Sequence, residues 1–151
     1  MDSRVEAFFQ SVKGKRVTFC GIGGSNLPLI ALFQEKGAVV SARDRRTREA
    51  LGKTGDSLEA RGVTLHLGET YLQNLDEDII FRTPGMKFTL PELEAARARG
   101  AAVTSEMEIF FDLCPCKIYA VTGSDGKTTT TTIISEFLKA AGKNVHLGGN
   151  I

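Results

Sequence analysis

Short apolar runs alternate with amphipathic stretches along most of the chain, and glycine and proline punctuate the alternation. Residues 15–20 form an apolar run closed by Gly21-Ile22-Gly23-Gly24, which predicts a strand that enters a tight turn. Residues 26–36 place Leu27, Ile30 and Ala31, with Leu29 and Phe33 alongside, on one face of a helix. Pro28 suits that helix's first turn, where its missing N–H costs nothing, and Gly37 ends it. Further strands are expected at residues 38–42, 63–67, 78–81 and 101–104. Helices are expected at 47–61, although Gly52 and Gly55 weaken the propensity there, and at 91–99, which opens on Pro91. Pro84 and Gly85 impose a turn after the strand at 78–81.

Strands alternating with helices through short connections predict an α/β fold built on a parallel sheet with helices on both faces. Ligands on such sheets bind outside the carboxyl ends of the strands, which directs attention to the residues after Cys20, Ala42 and Phe81. The pattern then restarts. A short amphipathic helix at 105–113 is broken by Cys114-Pro115-Cys116, and is followed by a strand at 117–122, a loop at 123–128, a helix at 129–141 and a strand at 144–147. The expected boundary is near Ser105, with one domain at 1–105 and a second at 106–151. Two strands cannot bury both faces of a parallel pair, so the chain is expected to stop inside its second domain.

Composition narrows the function classes. Apolar residues make up 42% and charged residues 25% of the 151, as in a globular protein. Nineteen basic and 18 acidic residues leave a net charge of +1, which calls for neither a nucleic-acid nor a membrane partner. Residues 1–10 carry acids and lack the apolar core of a signal peptide, and no run approaches the roughly 20 apolar residues of a membrane span. Three cysteines, Cys20, Cys114 and Cys116, fit a reducing cytoplasm better than a disulfide framework.

The stronger of two chemical signals is Val121-Thr-Gly-Ser-Asp-Gly-Lys-Thr-Thr-Thr-Thr. It follows an expected strand and opens an expected helix, the context of a phosphate loop. Gly123 and Gly126 let the backbone approach a phosphate, and loop N–H groups at a helix N-terminus offer it partial positive charge. Lys127 is placed to reach terminal phosphates and the Thr128 hydroxyl to ligate magnesium. Val121 stands where the common pattern has its first glycine, so the loop is a shortened G-x-x-G-K-T. The plain alternative is a glycine turn before a threonine-rich helix, but consecutive threonines disfavour a helix on propensity, which points to a functional constraint.

The second signal, Gly21-Ile22-Gly23-Gly24-Ser25-Asn26, matches G-x-G but has Asn26 where a dinucleotide fingerprint has its third glycine. Asp44 ends the next strand at about the spacing of a ribose-binding acid. The alternative is a strand–helix turn without a ligand. Arg43, Arg45, Arg46 and Arg48 read mostly as a solvated basic loop, with one or two available to a phosphate or base. Arg82-Thr83-Pro84-Gly85-Met86 is either a contact loop or only a strand-ending turn. Cys114 and Cys116 lack a second metal-spaced pair and read as packing residues. His66 and His146 are expected on strands in structural roles. Glu106 and Glu108 read as a solvated face, and Phe8, Phe9, Phe110 and Phe111 as core.

Together these residues resemble the Mur ligases, and most closely the branch that adds D-glutamate to UDP-N-acetylmuramoyl-L-alanine. The resemblance rests on Val121 to Thr132, Gly148-Gly149-Asn150-Ile151, Thr83-Pro84-Gly85, Gly21 to Asn26, and Ser105-Glu-Met-Glu-Ile-Phe-Phe. Gly21 to Ser25 also resembles the alanine-adding sibling, whereas Ser124-Asp125-Gly126 and Ser105 to Glu108 favour the glutamate-adding branch. The resemblance implies a Rossmann-like sheet domain for the UDP part of the substrate, followed by the start of a P-loop α/β ATP-binding domain. Gly24 and Ser25 would contact the diphosphate. Asp44, Arg45 and Arg46 would flank uracil and ribose, Gly85 would approach the nucleotide, and Asn150 the sugar–peptide side. ATP and magnesium would bind at Gly123, Ser124, Asp125, Gly126, Lys127, Thr128 and Thr129, with Lys127 catalytic and Thr128 on the metal.

The implied reaction takes ATP, UDP-N-acetylmuramoyl-L-alanine and D-glutamate to an amide through an acyl phosphate, in the cytoplasm. A second magnesium-binding acid, a carbamylated lysine and a C-terminal domain would lie beyond Ile151, so the chain alone is expected to be inactive. Two other classes compete. One is an NAD-dependent redox domain, against which Asn26 and the separate phosphate loop argue. The other is a P-loop binding module without ligase chemistry. A folate-polyglutamate ligase shares a similar phosphate loop but not the UDP-type first domain.

Overall fold

The computed structural model describes residues 3–149. The chain forms two compact units, Met1–Pro115 and Cys116–Ile151. The first is a five-stranded sheet of order β3-β2-β1-β4-β5, built from β1 (Arg16–Cys20), β2 (Val39–Asp44), β3 (Thr64–Leu67), β4 (Ile79–Phe81) and β5 (Ala102–Thr104). Every pairing is parallel, as the α/β expectation requires. The order reverses between β1 and β4, which makes the carboxyl ends of those two strands the switch point of the sheet.

The strands read as continuous apolar runs because both faces are covered. Successive side chains point to opposite faces. Val17, Phe19, Val40, Ala42 and Phe81 enter one core, whereas Cys20 and Ile80 enter the other. The first core is closed by α1 (Ser3–Val12), α2 (Asn26–Glu35), α3 (Arg48–Leu51) and α4 (Lys53–Ala60), through Val12, Ile30, Phe33, Leu51 and Leu58. Phe33 is its hub, with ring centroids 5.5 Å from Phe19, 5.1 Å from Phe81 and 5.7 Å from Phe9. The second core is closed by Leu93 and Ala96 of α5 (Pro91–Ala98) and by Leu72 and Leu75 of the irregular segment 68–78.

Several expectations shift. Helix α1 was not anticipated, although Val5, Phe8, Phe9 and Val12 stand at helical spacing and Val12 is fully buried. The helix expected at 47–61 is two helices, because Gly52 adopts φ +50° and interrupts the ladder. Helix α6 (Glu106–Leu113) groups with the first compact unit, which extends to Pro115. Ile109 packs on the first core while Phe110 and Phe111 remain about half exposed, so these two phenylalanines are not core. Cys116 is likewise exposed and not a packing residue.

The second unit contains α7 (Lys127–Ala140), and neither 117–122 nor 144–147 pairs in a ladder. His146 therefore lies on no strand, while His66 sits in β3 as expected. A strand exists only through its neighbours, and two short parallel segments have too few hydrogen bonds to hold each other. No described helix is long and apolar enough to cross a membrane.

Candidate functional site

Three loops converge at the carboxyl end of the sheet. The β1–α2 loop begins at Gly21, whose φ of +98° is open to glycine alone in practice, and whose N–H donates to the Arg43 carbonyl at 2.6 Å. A methyl group at Gly21 would stand 2.5 Å from Thr83 Cγ2, so this loop lies against the loop that follows β4. Asn26 explains the missing third glycine. Its buried side chain donates to the Gly21 carbonyl at 2.8 Å and ties the start of α2 to the end of β1. No described backbone or side-chain hydrogen bond engages the N–H groups of Gly23, Gly24 or Ser25, and no side chain caps α2. Added methyls at Gly23, Gly24 or Gly85 would meet no protein atom within 4 Å.

Asp44 locks this arrangement. Its carboxylate accepts from the Ile22 N–H at 2.7 Å, from the Arg46 N–H at 2.9 Å, and from the Arg46 guanidinium at 3.0 and 2.9 Å. Burial pushes the Asp44 pKa up, but the Arg46 side-chain and backbone hydrogen bonds, the Ile22 N–H and the Arg46 charge outweigh it and hold the carboxyl below its ordinary value. A depressed carboxyl stabilises the fold above its unfolded pKa of about 3.9, and that stability is lost as pH falls through the lower folded value. Asp44→Asn is therefore expected to destabilise the first unit by about 1–3 kcal/mol at pH 7 and to flatten the acid limb below about pH 4. Urea unfolding monitored across pH checks this, and an unchanged acid limb would remove Asp44 as its source.

Arg43 departs most from expectation. It is 1% exposed, not solvated, and points into the second core side of the sheet. Its guanidinium pairs with Glu77 at 2.8 Å and donates to the carbonyls of Tyr71, Gln73 and Asn74 at 2.9, 3.0 and 3.2 Å. Ser41 donates to the same Glu77 oxygen at 2.8 Å. Segment 68–78 has no helix to satisfy its own carbonyls, and a buried cation does so instead. Burial pushes the neighbouring Cys20 thiol up to about 12, with Arg43 opposing and Glu77 adding, so it stays protonated. The segment forms one wall of a cleft of about 440 Å³, lined by Arg45, Glu69, Tyr71, Leu72, Leu90 and Glu92. Among the expected site cations, Arg46 is spent on Asp44, whereas Arg45 lines this cleft.

The second unit holds the other loop. Gly123 adopts φ +149° and Gly126 φ +73°, and Gly126 caps α7 without any side-chain hydrogen bond. The Lys127 ammonium folds back onto the carbonyls of Gly123 at 2.5 Å and Ser124 at 3.0 Å. Thr131 and Thr132 bond the carbonyls of Lys127 and Thr128 at 2.7 and 2.8 Å, which lets the threonine run remain helical. Ser124, Asp125, Thr128 and Thr129 are all exposed. Open helix-start N–H groups, a lysine wrapped on the loop and an accessible Thr128 hydroxyl fit a phosphate group with its magnesium.

The structure thus gathers Gly24, Ser25, Asp44 and Arg46 around one loop system, with Gly85 following the Thr83 that abuts it, and holds Gly123 to Thr129 within the other unit. Asn150 lies outside the described residues. The roles of Arg43 and Asn26 do not follow from the sequence. Both are polar residues at strand or helix ends, where sequence shows the residue type but not which way it points.

Residues 15–105 match the family described as Mur ligase MurD-like, N-terminal domain. A UDP-N-acetylmuramoylalanine–D-glutamate ligase of Acetivibrio thermocellus is 47% identical over this whole chain, which covers 33% of that protein. The protein of the same name from Ruminiclostridium cellulolyticum is 50% identical, with the same coverage. The chain thus spans about a third of the length of the curated relatives it matches. Among solved structures, a UDP-N-acetylmuramate-alanine ligase from Thermotoga maritima is 26% identical with a TM-score of 0.53, over 91% of this chain and 32% of that one. A murein peptide ligase from Psychrobacter arcticus is 28% identical with a TM-score of 0.52, over 85% of this chain and 27% of that one.

Proposed function

Because the chain belongs to the Mur ligase family, with a MurD-like N-terminal domain, we propose that it is the substrate- and ATP-binding front part of a cytoplasmic ligase of peptidoglycan synthesis. The reaction is addition of D-glutamate to UDP-N-acetylmuramoyl-L-alanine. ATP phosphorylates the alanyl carboxylate, the D-glutamate amine attacks the acyl phosphate, and phosphate leaves. The observation that carries this reading is a strand-order switch with open glycine N–H groups in a MurD-like unit, joined in one chain to a loop of phosphate-cradle geometry.

In the first unit, the N–H groups of Gly23, Gly24 and Ser25 are available to the diphosphate at the start of α2. Asp44 and Arg46 hold that loop in shape, and Arg45 with the adjoining cleft offers polar and apolar surface to the uridine. Gly85 leaves room for close approach, and Asn150 is assigned to the sugar–peptide side. In the second unit, Gly123 to Thr129 hold the ATP phosphates. Lys127 exchanges its loop carbonyls for phosphoryl oxygens and neutralises charge as it moves, and Thr128 holds magnesium. The domain assignment proposed is a UDP-substrate domain followed by the start of the ATP domain. This chain alone binds the nucleotide substrate and does not complete ligation.

Calorimetric titration tests the reading. The chain is expected to bind UDP and UDP-N-acetylmuramoyl-L-alanine in the micromolar to millimolar range, and Mg-ATP separately, with no response to NADH. Gly24→Val, whose side chain meets no neighbouring protein atom at its Cβ, should leave stability within about 0.5 kcal/mol yet weaken UDP binding severalfold. Binding of NADH without UDP would replace the ligase reading with a redox one.

A further inference from the structure

The anionic part of a nucleotide substrate needs positive charge, and the fold has spent much of what the sequence offered. Arg43 is buried against Glu77 and Arg46 is committed to Asp44. Arg82 is placed differently. It follows β4 directly at the switch point, its N–H donates to the Thr104 carbonyl at 2.9 Å, and the next residue, Thr83, abuts the Gly21 turn. The Arg82 side chain is 17% exposed, and the carboxylate it faces, Glu108 of α6, stands at 3.6 Å, outside hydrogen-bonding distance. The Arg82 Nε–H is buried and has no hydrogen-bond partner among the described residues. The guanidinium lies 5.4 Å from the centre of the Phe88 ring. That ring is anchored in turn by Arg97 of α5, 3.7 Å away, which also donates to the Phe88 carbonyl at 2.9 Å. Glu108 is held by Ser105, whose hydroxyl donates to its other oxygen at 2.7 Å.

A half-buried, supported guanidinium with an idle Nε–H and a loosely matched carboxylate is poised for a stronger acceptor. A planar guanidinium pairs with oxyanions through two parallel hydrogen bonds, which the present geometry to Glu108 does not supply. We propose that Arg82 is a substrate-binding residue that takes an oxyanion of the nucleotide-sugar substrate, releasing its loose pairing with Glu108. This rests on the UDP-substrate reading of the first unit. The chemistry is shared by the diphosphate and by the alanyl carboxylate, and the ligand series separates them.

The test uses the full chain, titrated by NMR with uridine, UDP and UDP-N-acetylmuramoyl-L-alanine, with circular dichroism and thermal unfolding as folding controls. Arg82→Gln is expected to weaken UDP binding about tenfold or more while leaving uridine unchanged, and Arg82→Lys to retain part of the affinity. A loss confined to the muramoyl-alanine ligand assigns the contact to the carboxylate and also supports the proposal. Glu108→Gln, which leaves Arg82 in place, should tighten binding two- to threefold by freeing the cation. Unchanged affinity of Arg82→Gln for both charged ligands overturns the proposal, as does an equal loss for uridine, which would mark a structural effect. If Arg82→Gln does not fold, Glu108→Gln decides, and unchanged or weaker binding overturns the proposal. Failure of the wild-type chain to bind any of the three ligands overturns the UDP reading itself, and this inference falls with it.

Discussion

Arg43→Ala is expected to destabilise the first unit by about 3–5 kcal/mol, the cost of stranding one partner of a buried ion pair. Arg43 is 1% exposed, and its loss leaves the Glu77 carboxylate, 5% exposed, without its cation. It also strips donors from the carbonyls of Tyr71, Gln73 and Asn74. A second variant separates these effects. If the ion pair alone matters, Arg43→Met combined with Glu77→Met should recover most of the loss, since apolar replacement of both partners is often near neutral. If the guanidinium is the scaffold of segment 68–78, recovery should be small, because the three carbonyls remain unpaired. The second outcome is expected. Urea unfolding followed by circular dichroism reads both variants. A loss under about 1 kcal/mol for Arg43→Ala would show that burial of Leu72 and Leu75 holds the segment without help. On the proposed function the effect extends to substrate binding, because Tyr71 and Leu72 wall the cleft beside Arg45.

Gly21→Ala is expected to cost about 2–4 kcal/mol, combining the strain of a non-glycine residue at positive φ with overpacking. The two parts can be divided, because the added methyl meets Thr83 Cγ2 at 2.5 Å while Thr83 Oγ1 is 3.7 Å away. Thr83→Ser removes the clashing carbon and keeps the hydroxyl. Gly21→Ala with Thr83→Ser should therefore regain about 1–2 kcal/mol, leaving the backbone strain at φ +98°. Thermal unfolding of the single and double variants measures the coupling. Additive effects would mean that the two loops do not touch as described. Gly21→Ala should weaken UDP binding as well, since it moves the loop that carries the Gly23, Gly24 and Ser25 N–H groups.

The first unit was legible where local rules act alone. All five strands were expected within a few residues, because each is an apolar run that ends at a turn residue. The helix after the Gly-Lys-Thr loop was expected from residue 129 and starts two residues earlier, at Lys127. Pairing could not be read. The segments 117–122 and 144–147 have strand-like composition but no ladder, since a strand is completed by hydrogen bonds from elsewhere. Glycine interruptions were visible as weak points, but only the φ of +50° at Gly52 separates α3 from α4. Helix α1 shows the opposite case, since its Val5, Phe8, Phe9 and Val12 spacing was present and went unread.

The sequence by itself determined the parallel α/β class, the glycine loop after β1 and the Mur ligase family, because all are encoded by residue type at short spacing. Only the tertiary structure decided what the polar residues between those motifs do. Arg43, Arg46 and Arg82 lie close in sequence type and position relative to strand ends, yet one is a buried scaffold, one is bound to Asp44, and one stands with an idle donor. The reason is physical. A charged side chain takes its role from its burial and its partners, and Glu77, Asp44 and Glu108 reach these arginines only when the chain has folded.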